Sequence, residues 1–254
     1  MKKNLLALLA FFCLCGGASA QVSNVDVTQL DSAFGAQSFF AGHLTGFMLY
    51  DLESKQVVFE KNSHLYQIPA STAKLLTLYA GLTILEDSTQ TLRYKSSGDT
   101  LKIWGSGDPS WKYKNFDQPD FQKIIGNHAV VQFSDANQVS PGYGYGWQWD
   151  DYKFDYAAAR SSLPIYGNLV NLKMVGDSLQ LFPTTFQRMV QFSSKNLKEL
   201  ERDFNSNTYY YNPKTFLGRE NQVPFLVKPA LIAELARLET GVPWIYRSAS
   251  LPAE

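Results

Sequence analysis

Cysteine is missing from the part of this sequence that could form a core. Cys13 and Cys15 are its two cysteines, and both fall in the first twenty residues, MKKNLLALLAFFCLCGGASA. That segment reads as a secretory signal peptide, residues 1–20, with Lys2 and Lys3 ahead of an apolar run from Leu5 to Cys15 and cleavage expected after Ala18-Ser19-Ala20. The chain from Gln21 then has neither a disulfide nor a thiolate metal site, so its stability must come from packing, in one large domain or two smaller ones. Long apolar runs are also missing. The leader is too short to span a bilayer and no later segment is longer, which predicts an exported protein without a membrane span. Histidine is scarce. His43, His64 and His128 lie far apart and form no metal-ligand spacing. There is no phosphate-binding glycine loop, dinucleotide fingerprint or internal repeat, and no cofactor is inferred. A large excess of either charge is absent too: Lys plus Arg and Asp plus Glu each number 23, and loss of Lys2 and Lys3 leaves a formal charge of about −2. Nucleic acid and anionic membrane are not expected partners.

What is present begins with LTGFMLYDL, ESK and QVVFEKN, two β-rich runs around a polar turn that predict a hairpin. Pro69 ends the extended chain. Ser71 opens a run with apolar residues at Leu75, Leu76, Leu78, Tyr79, Leu82 and Leu85, which predicts a helix with one buried face. From about Arg93 short strands and turns rich in Gly, Asp and aromatics take over: LKIWGSGDPSW, PGYGYGWQWDDY and NLVNLKMVGDSLQLFP, the last a hairpin turning at Gly176-Asp177. A helical piece is expected near Asn196 to Phe204. A compact helix is expected in KPALIAELARLETGVP, with Pro229 in its first turn and Gly241 just past its end.

The stretch PASTAKLLT, Pro69 to Thr77, carries the chemistry. On a helix, Ser71 and Lys74 share a face as i and i+3 neighbours. A neutral lysine amine there can take the serine proton, and the helix N-terminus favours the developing negative charge. Serine is equally a favoured N-cap, and a lysine one turn on is ordinary helix composition. On spacing alone, nucleophile and cap both stand.

The wider pattern resembles a known family. YQIPASTAKL, Tyr66 to Leu75, is similar to the active-site segment of the serine D-alanyl-D-alanine carboxypeptidases of the class C low-molecular-mass penicillin-binding proteins. WGSGDPSW, Trp104 to Trp111, and YGYGWQWDDY, Tyr143 to Tyr152, resemble two further segments of that family in the right order. The resemblance implies a mixed α/β fold: part of a β-lactamase/transpeptidase-like catalytic domain over residues 21–92, a β-rich inserted domain over 93–224, and a return to the catalytic domain over 225–254. It implies acyl transfer through Ser71 with Lys74 as base, peptidoglycan stem peptides as partners, β-lactam antibiotics as inhibitors, and the periplasm of a Gram-negative-type cell as location. It also implies that Asp151 and Tyr156 help to hold the stem peptide's third side chain. Without the resemblance, Gly105 to Pro109 reads as a turn, and Trp147 and Trp149 as packing on alternate positions of a strand.

Two elements of the family pattern do not match. Lys214-Thr215 is followed by Phe216, not by the glycine that permits close backbone approach. For the relay motif, Tyr166-Gly167-Asn168 and Ser194-Lys195-Asn196 both sit where insert is expected, and both read as decoys. The sequence is therefore expected to be the front portion of such an enzyme. Two rival readings follow: a β-lactamase or esterase-type hydrolase with Tyr166 as relay, and a catalytically inactive module that binds peptidoglycan through its aromatic loops.

Overall fold

A computed structural model describes residues 26–85, 87–114, 116–218 and 220–250; the signal-peptide segment lies outside them. The chain divides into two units, Met1–Ala80 and Gly81–Glu254, each taken by itself below.

In the first unit, Asp26 caps helix α1 (Val27–Ala36) by accepting the Thr28 amide at 3.0 Å, and a short helix α2 (Ser38–Ala41) follows. The expected hairpin forms from β1 (Phe47–Asp51) and β2 (Gln56–Lys61), antiparallel, with a bulge between Leu49 and Tyr50. Asp51 holds its turn by accepting the amides of Glu53 and Ser54. The ring of Phe34 lies 5.3 Å from Phe47 and 6.0 Å from Phe59, and these rings are the nearest thing to a core in this unit. No described residue of the unit is buried.

The sequence predicts a helix from Ser71, and it forms: a 3-10 turn over Ala70–Thr72 runs into α3 (Ala73–Ile84). The buried face it was expected to have does not. Leu75, Leu76, Leu78, Tyr79, Leu82, Ile84 and Leu85 are all exposed, Leu76 to 74%. Apolar residues this widely spread around a helix ordinarily belong inside a larger core. A two-stranded ribbon and two short helices are too little structure to provide one.

The second unit has a continuous core. Strands β3 (Leu92–Ser97), β4 (Thr100–Gly105), β5 (Val130–Ser134) and β12 (Trp244–Tyr246) form a mixed sheet in the order β12-β5-β4-β3; only the β3–β4 pair is antiparallel. Leu101, Ile103, Val131 and Phe133 alternate inward from its central strands and are almost wholly buried. Trp111 packs flat on Phe121 of the short helix α4 (Phe121–Ile125) at 3.8 Å and lies 5.7 Å from Trp244. The expected hairpin β6 (Leu169–Val175) and β7 (Ser178–Phe182) turns through Gly176, whose φ of +58° suits glycine, and β11 (Glu220–Pro224) completes a three-stranded antiparallel sheet. A third sheet joins β8 (Val190–Phe192), β10 (Tyr209–Tyr211) and β9 (Glu201–Arg202). Helix α5 (Pro229–Thr240) begins with Pro229 and ends at Gly241 in the left-handed conformation, as the sequence predicts, and buries Ile232, Ala233, Leu235 and Ala236. The segment after Pro224, expected to rejoin the catalytic part, lies in this second unit, where β12 pairs in parallel with β5.

The helix expected near Asn196 to Phe204 is absent. Carbonyls that would bond along a helix are taken from outside it: Lys195 accepts from the Asn212 amide, Leu197 from the Thr215 hydroxyl and Lys198 from the Leu217 amide. Arg202 is a buried guanidinium in this segment, and among the described residues no carboxylate forms an ion pair with it. It donates instead to the carbonyls of Pro224, Asp203 and Ser206 at 2.7 to 3.1 Å, with a longer contact to Phe204 at 3.3 Å.

Candidate active site

Pro69 has helical torsions, and Ala70 follows in the left-handed region at φ +46°, a conformation that costs a residue with a Cβ. Strained residues of this kind cluster where a neighbouring group must be held in place, and the neighbour here is Ser71. Thr72 bonds back to Pro69 through its amide at 3.0 Å and also through its hydroxyl. The Lys74 Nζ donates to Ser71 Oγ at 3.1 Å, the contact that an i, i+3 spacing allows. The hydroxyl thus faces the Lys74 amine. Both side chains are exposed.

The aromatic loop from Pro141 to Arg160 lies in the second unit and forms no strand, so Trp147 and Trp149 are not alternate residues of one. Trp147 folds back over Gly144, where a Cβ would come within 2.6 Å of the indole nitrogen, and the Arg160 guanidinium lies over its ring, 5.8 Å from the centroid. Asp151 and Tyr156 are brought together: the Tyr156 hydroxyl donates to Asp151 Oδ1 at 3.0 Å, while Asp151 Oδ2 accepts the Gln148 amide. Slight desolvation and this carboxylate raise the Tyr156 phenol above its ordinary value. The loop is anchored from below by Tyr152, whose hydroxyl donates to the Arg202 carbonyl and whose ring lies 4.9 Å from the Arg202 guanidinium. This anchor was not legible in the sequence, because Arg202 is fifty residues away and looks like one more surface charge on a helix.

The Gly-x-Gly-Asp-Pro segment works as a packed turn. A Cβ on Gly105 would lie 2.1 Å from the Ser162 carbonyl oxygen, so only glycine lets the two backbones approach. Gly107 has φ +89° and donates to that same carbonyl at 2.7 Å. Asp108 accepts from the Thr91 hydroxyl and the Ser110 amide, and Trp111 enters the core.

Tyr166 is unsuited to the relay of the rival hydrolase reading. It is almost fully buried, and its hydroxyl donates to Glu239 Oε1, while Glu239 Oε2 pairs with Lys112 at 2.7 Å. Burial first, then the bond to Glu239 and its charge, push the phenol far above its ordinary range, the opposite of what a base needs. Ser194 and Asn196 are exposed on the surface. Lys214-Thr215 lies in a turn after β10, where Thr215 donates to the Leu197 carbonyl and Phe216 packs on Tyr211. His43 and His128 each bond a backbone carbonyl of the helix just before them, Phe39 and Ile125, and among the described residues no group of three or more His, Cys, Asp or Glu side chains could hold a metal.

A profile of the D-Ala-D-Ala carboxypeptidase 3 (S13) family matches residues 27–199. Among solved structures, the chain is similar to penicillin binding protein 4 from Haemophilus influenzae, with a TM-score of 0.56 and 17% sequence identity. The likeness covers 82% of this chain and 54% of that one, so the chain spans about half the length of the protein it matches. No curated protein matches the sequence.

Proposed function

The chain belongs to the D-Ala-D-Ala carboxypeptidase 3 (S13) family, and we propose that within it Ser71 is the acyl-accepting nucleophile and Lys74 its base. The observation that carries this is the 3.1 Å contact between Lys74 Nζ and Ser71 Oγ beside the strained Ala70. The substrate is a peptidoglycan stem peptide ending in D-Ala-D-Ala, or a peptide cross-link of the same chemistry. Lys74, as the neutral amine, takes the proton from Ser71 while Oγ bonds the penultimate D-alanine carbonyl carbon. The proton passes to the departing amine as the peptide bond breaks, leaving a serine ester. Water then attacks the ester, the same amine relaying its proton, and Ser71 is restored. β-Lactams acylate the same oxygen. Asp151 and Tyr156 contact the third side chain of the stem peptide, and the leader sends the protein to the periplasm.

Labelling with a fluorescent penicillin tests the proposal, beside a Ser71→Ala control and circular dichroism as a fold check. Label that disappears in the control supports it. A folded chain that takes up no label sinks the catalytic reading and leaves the wall-binding module, which the exposed aromatic loop favours.

A further inference from the structure

Neither the acyl step nor the fold uses Tyr145 or Trp149. Tyr145 is 95% exposed and Trp149 79%, and neither ring contacts another ring nor bonds through its polar atom among the described residues. Exposed aromatics are costly to leave idle on a soluble surface, and here they are held up by a built loop. Asp151 ties the Gln148 amide to the Tyr156 hydroxyl, Phe154 and Tyr156 stack 5.4 Å apart with planes 12° from parallel, and Tyr152 locks the base of the loop to Arg202. Rings presented on an ordered loop give up little conformational entropy when a ligand lands on them.

The charges beside the rings narrow the ligand. Asp150 and Asp155 form no ion pair among the described residues, and they flank Trp149 and Phe154 in sequence. Carboxylates at this spacing repel nucleic acid and the anionic face of a membrane. An apolar protein surface would have to strip water from them with nothing in return. A ligand with flat C–H faces for the rings and hydroxyl or amide N–H donors for the carboxylates meets both demands. We propose that the loop Tyr145–Tyr156 binds an N-acetylated amino-sugar oligosaccharide, the glycan strand itself, with Tyr145 and Trp149 as stacking platforms and Asp150 and Asp155 as hydroxyl acceptors. The choice of amino sugar rests on the wall-substrate reading above; the stacking site does not depend on Ser71.

The test uses the full chain and chito-oligosaccharides of N-acetylglucosamine, which carry no peptide, with tryptophan fluorescence and calorimetry as readouts. Saturable binding is expected, equal in wild type and Ser71→Ala. It weakens at least tenfold in Trp149→Ala and in Tyr145→Ala, a factor worth about 1.4 kcal/mol, and it is largely kept in Trp149→Phe, which retains a ring. Circular dichroism of each variant reports the fold, which two exposed side chains should not alter. Three results would overturn the proposal: no binding of the oligosaccharide by the folded wild type, binding that Trp149→Ala and Tyr145→Ala leave unchanged, or binding of a free stem peptide or of anionic vesicles through these rings with none of the saccharide. Loss of penicillin labelling with saccharide binding intact would count against the acyl reading alone.

Discussion

The two units of this chain carry comparable apolar character in sequence and use it differently. In the second, Leu101, Ile103, Val131, Phe133, Trp111 and Phe186 disappear from solvent into one continuous core. In the first, no described residue is buried, and the leucines Leu75, Leu76 and Leu78 of α3 lie open to solvent. The proposed Ser71–Lys74 pair belongs to the unit without a core. The helix that begins there has apolar surface for a neighbour that residues 26–80 do not supply, whereas the β-rich unit closes on itself. Burial, and not hydrophobic content, is what separates a folding unit from a surface awaiting a partner.

The largest effects should test that contrast directly. Trp111→Ala removes a ring packed on Phe121 and Trp244, and we expect a loss of about 3–5 kcal/mol in denaturant unfolding of the second unit. Leu78→Ala, on the open face of α3, should cost roughly 0.5 kcal/mol or less by the same measurement. Equal losses from the two substitutions would mean that α3 is buried in solution, and the contrast between the units would fall.

Arg202→Met comes next. The guanidinium satisfies carbonyls of Pro224, Asp203 and Ser206 and braces Tyr152, so replacing it leaves those acceptors unpaired inside the protein. A loss of about 2–3 kcal/mol is expected, together with greater protease sensitivity of the aromatic loop. An unchanged melt would show that water reaches these carbonyls and that the guanidinium is dispensable.

These residues also mark how far the sequence could be read. Hairpins β1–β2 and β6–β7, helix α5 with its Pro229 start and Gly241 end, and the pairing of Ser71 with Lys74 were legible because each is local: alternation, turn residues and an i, i+3 spacing lie within a dozen positions. The false helix at Asn196 to Phe204 failed for the opposite reason, since Asn212, Thr215 and Leu217 claim its carbonyls from outside the window that a periodicity sees. The open face of α3 was misjudged because an apolar stripe states a demand for burial and is silent on what meets it. The Arg202–Tyr152 brace and the Tyr166–Glu239–Lys112 chain join residues 50 to 127 positions apart, where no local rule applies.

A smaller effect is expected from Tyr166→Phe. It deletes one hydrogen bond to Glu239, which keeps its partner Lys112, so a loss of about 1 kcal/mol is expected in the melt. Penicillin labelling should be unchanged. Labelling abolished in a folded Tyr166→Phe protein would restore the tyrosine to the chemistry and undo the assignment of Tyr166 to the core of the second unit.

The smallest expected effect is an acid dependence that belongs mainly to the second unit. Burial disfavours the Asp108 carboxylate, but hydrogen bonds from Thr91 and Ser110 outweigh it and hold the group below its ordinary value of 3.8. Burial opposes the Glu239 carboxylate too, and the bonds from Lys112 and Tyr166 outweigh it, placing it below 4.5. A carboxyl whose folded value is depressed lends stability that is complete above its unfolded value and is lost as pH falls through the folded one. Unfolding of the second unit should therefore be flat from neutrality down to about pH 5 and weaken progressively below about pH 4.5. Asp108→Asn and Glu239→Gln together should flatten that acid limb while lowering stability at neutral pH. Lys112→Met, which takes away only the cation, should move the limb upward in pH without removing it. An acid limb that neither change alters would place the proton uptake elsewhere, with the exposed carboxylates Asp26 and Asp51 of the first unit, both held low by hydrogen bonds to their own turns, as the groups to change next.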